Sequence, residues 1–168
     1  LKLDAVWWLV TPGNPLKEQQ AYAPYEQRLR QARRIADHSR IVVSNFEARR
    51  GLQYTVDTIA ALESLWPQIR FVWLMGADSL ATFHQWKDWR RIFVQAPIAV
   101  FARPGYDEEA LQSEAAKEFA HFRLAGEAPE IAQVGRLRLA RGRIGIAGIE
   151  RVGQVQRFDA AVLDVAQP

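Results

Sequence analysis

Short, wholly apolar runs alternate along this chain with longer amphipathic segments, and few folds accept that order. Residues 5–10 (AVWWLV), 41–43 (IVV), 71–75 (FVWLM) and 98–102 (IAVFA) have strand length and no polar alternation, the pattern of strands covered on both faces. Turn-forming residues close each run: Thr11-Pro12-Gly13-Asn14-Pro15, Ser44-Asn45, Gly76-Ala77-Asp78 and Arg103-Pro104-Gly105. Helical spacing fills the intervals. Residues 25–37 align Leu29, Ala32, Ile35 and Ala36; the segment opened by Thr55 aligns Ile59, Leu62 and Leu65 and stops at Pro67; residues 108–122 turn Leu111, Ala115, Phe119 and Phe122 inward. Thr55 and Asp78 are placed to cap the helices they open.

Strands separated by helices pair in parallel through right-handed crossovers. The expected fold is therefore α/β, an open parallel sheet with helices on both faces, in a single domain over residues 1–168. Residues 126–157, punctuated by Gly135, Gly142, Gly145, Gly148 and Gly153, predict irregular structure or short strands.

Composition narrows the partners. Lys and Arg exceed Asp and Glu by only 22 to 19, a balance that tolerates phosphorylated small substrates and does not announce a nucleic-acid binder; an arginine patch over 136–157 is the minor alternative. No apolar run approaches the roughly 20 residues needed to span a bilayer. The absence of cysteine suits a reducing cytoplasm. Leu1 falls almost directly on an apolar run, so the chain reads as part of a longer protein, and Lys2 and Asp4 interrupt any apolar leader.

Four segments carry a resemblance: WWLVTPGNPLK (7–17), QYTVDTI (53–59), FVWLMGADSLATFHQW (71–86) and IAVFARPGY (98–106). In order and spacing, across about residues 4–106, they resemble the bacterial nicotinate-nucleotide adenylyltransferase family. The resemblance implies a Rossmann-like nucleotidyltransferase fold that transfers an adenylyl group from ATP to nicotinate mononucleotide, giving deamido-NAD and pyrophosphate. It implies that Trp86 stacks on the nicotinate ring, since an electron-poor pyridinium suits an aromatic face. By the same resemblance Asp78 contacts the ribose hydroxyls. Thr55 lies by the nicotinate carboxylate, where the open N–H groups of a helix start attract an anion, with Tyr54 in a supporting role. Asn14 and Lys17 serve the phosphate and pyridine side of the mononucleotide, and Arg103 lies near the phosphates, whose oxygens fit a guanidinium fork. Each has a plainer alternative: Trp86 as core, Thr55 and Asp78 as caps, Lys17 as a solvated loop residue, Arg103 as a turn residue. His84 takes a supporting role only.

Two family signatures do not occur in this chain: the His-x-Gly-His motif after an N-terminal strand, and the later Ser-Ser/Thr-x-x-Arg that grips the triphosphate. No catalytic residue is assigned. Mg2+ is expected with ATP, held mainly by the triphosphate. The family's first strand would lie between the strands at 5–10 and 71–75, and its loss would leave two edges about 10 Å apart, twice the strand spacing. The chain is thus expected to be unstable unless a longer protein or a closing rearrangement fills the gap. ATP and nicotinate mononucleotide are the expected partners, with no nucleic acid and no membrane. The alternatives are a related adenylyltransferase acting on nicotinamide mononucleotide or phosphopantetheine, or a catalytically silent nucleotide-binding module.

Overall fold

A computed structural model describes residues 2–13, 23–123, 144–147, 157–158 and 160–164. The four apolar runs are strands: β2 (Val6–Leu9), β3 (Ile41–Ser44), β4 (Phe71–Gly76) and β5 (Ile98–Phe101). The other described strands are β1 (Lys2–Leu3), β6 (Ile144–Ala147), β7 (Arg157–Phe158) and β8 (Ala160–Asp164). Helices α1 (Tyr25–Ile35), α2 (Phe46–Arg50), α3 (Thr55–Leu65), α4 (Ala77–Ala81), α5 (Trp89–Gln95), α6 (Asp107–Gln112) and α7 (Glu114–Glu118) run between them. β6 and the first residue of β7 are short strands of the kind anticipated within 126–157; residues 126–143 and 148–156 lie outside the described residues.

The main sheet has the order β3-β2-β8-β4-β5-β6, and every ladder in it is parallel. β1 pairs separately with β7. The expected gap is therefore closed from within the chain. β8 pairs Val6↔Ala161 to Leu9↔Asp164 on one side and Phe71↔Ala160 to Leu74↔Leu163 on the other. The run AAVLD has the length and apolar character of a buried strand, and it removes the two open edges that the sequence reading left at the sheet centre.

Successive side chains of a strand point to opposite faces, and the core divides accordingly. Leu9, Phe71, Trp73 and Met75 pack with Val56, Ile59 and Leu62 of α3 and with Ile92 and Phe93 of α5. Val10 packs on the other face with Leu29 and Ala32 of α1, joined by Trp8 and Val43. All five residues of Phe71 to Met75 are buried, as an apolar strand without alternation requires. Trp7 meets Trp66 and Phe71 edge-on at 5.0 and 5.6 Å between ring centroids, an arrangement favoured by the ring quadrupoles.

Local details depart from the sequence reading. Thr55 is the first residue of α3, not its cap. Extended Tyr54 precedes the helix, makes no side-chain cap, and accepts at its carbonyl from the Asp57 and Thr58 N–H groups, both at 3.0 Å. Asp78 likewise is not a cap, because Gly76 holds that position before α4. Ile35 is 60% exposed at the end of α1. The single helix expected over 108–122 is broken at Ser113. Its hydroxyl donates to the Ala110 carbonyl at 2.7 Å and accepts from the Ala116 N–H at 3.2 Å, so it caps α7. The bend turns Leu111 outward and buries Ala110 in its place, while Ala115 is buried as expected. Among the described residues no helix is long and apolar enough to cross a membrane.

Ile92 is fully buried, and Ile92→Ala should cost about 2–5 kcal/mol of stability, read as a lower urea midpoint at unchanged slope. Ending the chain at Gln156 removes β7 and β8 and should abolish cooperative unfolding in near-UV circular dichroism. An unchanged midpoint would mean that β2 and β4 are held by something other than β8.

Candidate functional site

In open α/β sheets ligands bind outside the carboxyl ends of the strands, and most of the residues singled out above gather there. β4 leaves the sheet through Gly76, whose missing side chain is structural. A Cβ there would collide with Asp78 Oδ1 and come within 3.1 Å of Arg103 Nε. Only glycine lets Asp78 fold back over the strand end toward Arg103. Asp78 Oδ1 lies 3.4 Å from Arg103 Nε, within ion-pair distance, yet this buried oxygen accepts no hydrogen bond, because the approach is too long and misaligned to count as one. The Asp78 side chain as a whole is 30% exposed.

Arg103 is aimed by a tight turn. Pro104 sets the second position, Gly105 adopts φ 86° at the third, and the Tyr106 N–H donates back to the Arg103 carbonyl at 3.0 Å, as in a type II turn. The Arg103 N–H donates to Asp107 Oδ1 at 2.9 Å. Backbone and turn are fixed, while the guanidinium is left 46% exposed.

Trp86 follows α4 and a single 3-10 turn, Phe83–Gln85. Its indole leans on fully buried Phe83 at 4.8 Å and 44°, and the residue is half-buried, neither sealed in the core nor detached. Lys87 ties this loop to the start of α3. Its Nζ lies 3.1 Å from Asp57 Oδ2 and 4.4 Å over the Tyr54 ring. Such an exposed pair contributes less than about 1 kcal/mol, so its effect is geometric: the residue after Trp86 is placed over Tyr54 at the start of α3. Asp88 adopts φ 49° next to it, a left-handed conformation that Asp tolerates better than most residues. His84 is half-buried, with Nδ1 unpartnered.

The loop after β2 supplies a further wall. Thr11 Oγ1 donates to the Gly13 carbonyl at 3.1 Å. Arg28 of α1 donates to the Thr11 and Pro12 carbonyls at 2.8 and 3.1 Å. Asn14 and Lys17, expected on this loop, lie outside the described residues. Beneath it Glu47 is buried, and Oε1 accepts from Thr58 Oγ1 at 2.8 Å. Burial pushes the Glu47 carboxyl above its usual range, against the lowering effect of the hydrogen bond from Thr58.

Sequence reasoning missed Glu47, Lys87 and the crowding at Gly76. The last was signalled by a glycine at a strand end, but nothing in the sequence couples Lys87 to Asp57. A hollow of about 310 Å³ lies elsewhere, against Trp7, Phe46 and Trp66 at the β3 edge, and shares none of these residues. Among the described residues no three His, Asp or Glu side chains converge. They form no cage for a divalent cation, which would arrive on the oxygens of a nucleotide.

A family model described as cytidylyltransferase-like matches residues 1–134. A probable nicotinate-nucleotide adenylyltransferase of Ruegeria pomeroyi is 52% identical over 126 residues, covering 75% of this chain and 59% of that protein. One from Erythrobacter litoralis is 55% identical over 115 residues, 68% of this chain and 52% of that protein. One from Ruegeria sp. (strain TM1040) is 49% identical over 132 residues, 78% of this chain and 69% of that protein. The chain thus spans between half and about two thirds of the length of these relatives. Among solved structures, the nicotinic acid mononucleotide adenylyltransferase of Plasmodium falciparum complexed with APC matches with a TM-score of 0.54, covering 91% of this chain and 77% of that one. At 11% identity that likeness concerns the fold, and it agrees with the Rossmann-like sheet described above. The chain belongs to the cytidylyltransferase-like family, and within it stands beside proteins named probable nicotinate-nucleotide adenylyltransferases.

Proposed function

We propose that this chain forms the mononucleotide half of an enzyme that transfers an adenylyl group from ATP to nicotinate mononucleotide. The reading is supported by two juxtapositions, Asp78 with Arg103 after β4 and β5, and the loop carrying Trp86 with the start of α3 through Lys87. Trp86 offers a flat face for the pyridine ring. The first turn of α3, at Thr55 beside Tyr54, has no side-chain cap, so its outward N–H groups suit the nicotinate carboxylate. An amide would set its own NH2 group against those donors, which gives a basis for preferring the acid. Asp78, its side chain 30% exposed, can accept from ribose hydroxyls, and Arg103 can fork onto phosphate oxygens. Asn14 and Lys17 complete this proposed binding set from the β2 loop.

The chemistry asks for positioning more than for proton transfer. A phosphate oxygen of the mononucleotide attacks the α-phosphorus of ATP in line; the new P–O bond forms as the bond to pyrophosphate breaks. The residues here would hold and aim the nucleophile. Mg2+, entering with ATP, would neutralise charge on the phosphates. We place this activity in the cytoplasm.

One observation favours a second reading. The sheet position between β2 and β4, where the resemblance puts the family's first strand, is taken by β8. In that reading the chain binds the mononucleotide without transferring to it. Incubation with ATP, Mg2+ and nicotinate mononucleotide, with nicotinamide mononucleotide and phosphopantetheine as competing acceptors, decides between them. Dinucleotide formed from the acid supports the transferase, and tight binding without product supports the silent module.

Within either reading Trp86→Ala should weaken nicotinate mononucleotide binding about tenfold, a stacking loss of roughly 1–3 kcal/mol, while ATP binding barely changes. An equal effect on both ligands would make Trp86 a packing residue. Gly76→Ala should displace Asp78 and weaken the mononucleotide likewise, with little change in the urea midpoint; an unaltered dissociation constant would remove Asp78 from the site.

A further inference from the structure

The hollow at the β3 edge has an origin in the sheet that leaves its polar groups unspent. Trp7, which packs toward the α3 side of the sheet, stands in register with Val42, and paired residues share a face. β3 is the last strand of the sheet, so past Val42, itself 47% exposed, the sheet offers no further cover. Phe46 of α2 and Trp66 at the end of α3 close the other sides. Their rings lie 5.8 Å apart at 47°, and Trp66 meets Trp7 at 5.0 Å. The space of about 310 Å³ is at the lower end for ligand sites and suits one small ring system with its substituents.

Helix α2 brings Arg49 and Arg50 to the rim. Arginines in the last turn of a helix ordinarily turn to its open carbonyls or to a carboxylate. Here the backbone closes the helix instead. Gly51 adopts φ 64°, its N–H donates to the Ala48 carbonyl at 3.4 Å, and the Leu52 N–H donates to that of Glu47 at 3.0 Å. Among the described residues neither arginine has an ion pair. Arg50 lies 4.3 Å over the Phe46 ring, a contact that keeps its guanidinium at the aromatic wall. The acid of α2, Glu47, is buried against Thr58 and takes no part in the lining. Two smaller polar residues complete the rim. Asn45 precedes α2 without a side-chain cap bond, and Ser44 Oγ accepts from the Phe46 N–H at 3.2 Å with its own proton left to give.

An aromatic hollow with two positive charges and no carboxylate in its lining is complementary to a planar ring that carries an anion. Indole and phenyl groups suit the ring, and two guanidinium forks suit the oxygens of a phosphate. We infer that the hollow formed by Trp7, Phe46 and Trp66 is a second ligand site, which takes an aromatic phosphate of mononucleotide size with its phosphate on Arg49 and Arg50. The site stands apart from the reaction proposed above, since it shares no residue with the group around Trp86, Asp78 and Arg103.

Adenosine monophosphate titrated into the full 168-residue chain is the probe, with adenosine and inorganic phosphate as its two halves. The readout is the indole N–H resonance of Trp66, identified by its loss in Trp66→Phe. The nucleotide should shift it to saturation, and each half should bind at least tenfold more weakly. Arg49→Gln combined with Arg50→Gln should weaken the nucleotide about tenfold and leave adenosine unchanged. The corresponding lysine pair should fall between, since the charge stays and the fork is lost. Both positions are exposed, so these variants keep the fold and carry the test even if Trp66→Leu, expected to cost about tenfold through the ring, does not fold. A Trp66 resonance that does not move, or shifts confined to Trp86, would overturn the inference. So would equal affinity in the glutamine pair and the wild type, the result expected of arginines that only keep the open sheet edge from pairing with another chain.

Discussion

A strand inside a parallel sheet must satisfy its backbone N–H and C=O groups against neighbours on both sides, and at the centre of this fold that demand falls on β8. β2 and β4 each carry one wall of the candidate site, and neither touches the other. Their separation is two strand spacings, about 10 Å, because β8 stands between them. The register matters as much as the distance. Leu9 pairs with Asp164 and Leu74 with Leu163, so Leu9 and Met75 sit at one level and the two loops leave the sheet from the same height. That is the geometry a ligand lying across both would need.

Side-chain constraints then refine what the sheet provides. Gly76 allows Asp78 to turn back toward Arg103, the type II turn holds Arg103 in place, and Lys87 draws the Trp86 loop against the first turn of α3. None of these contacts is strong alone. They act together because each is anchored on buried structure, as Trp86 is on Phe83. Precision in the site is inherited from packing beneath it.

Much of this was legible beforehand wherever a local signal existed. Apolar runs without alternation located β2 to β5, because a doubly covered strand needs apolar residues on both faces. Gly-Ala-Asp and Arg-Pro-Gly marked the strand ends that carry Asp78 and Arg103. What stayed hidden depended on contacts distant in sequence or on rival hydrogen bonds. Ser113 spoiled a helical pattern by capping a new helix from inside it. Thr55 resembled a cap until the carbonyl of extended Tyr54 took the first helical bonds. Glu47 drew no reading from the sequence, since nothing local announces that Thr58 will cover it. β8 was the largest omission: AAVLD was passed over because its partners lie about 90 and 150 residues away, and no periodicity records such pairing.

The order of strands along the chain has a consequence for how the protein comes into being. β8 follows β2, β3, β4 and β5 in sequence yet lies between the first two and the last two. Among the described strands, β3-β2 and β4-β5 are joined into one sheet only when β8 is in place. Closing the fold means threading a late segment between those two pairs, a high-contact-order step that slows folding and prolongs the exposure of aggregation-prone edges. A cell making this protein would need chaperone attention at that moment more than at any other.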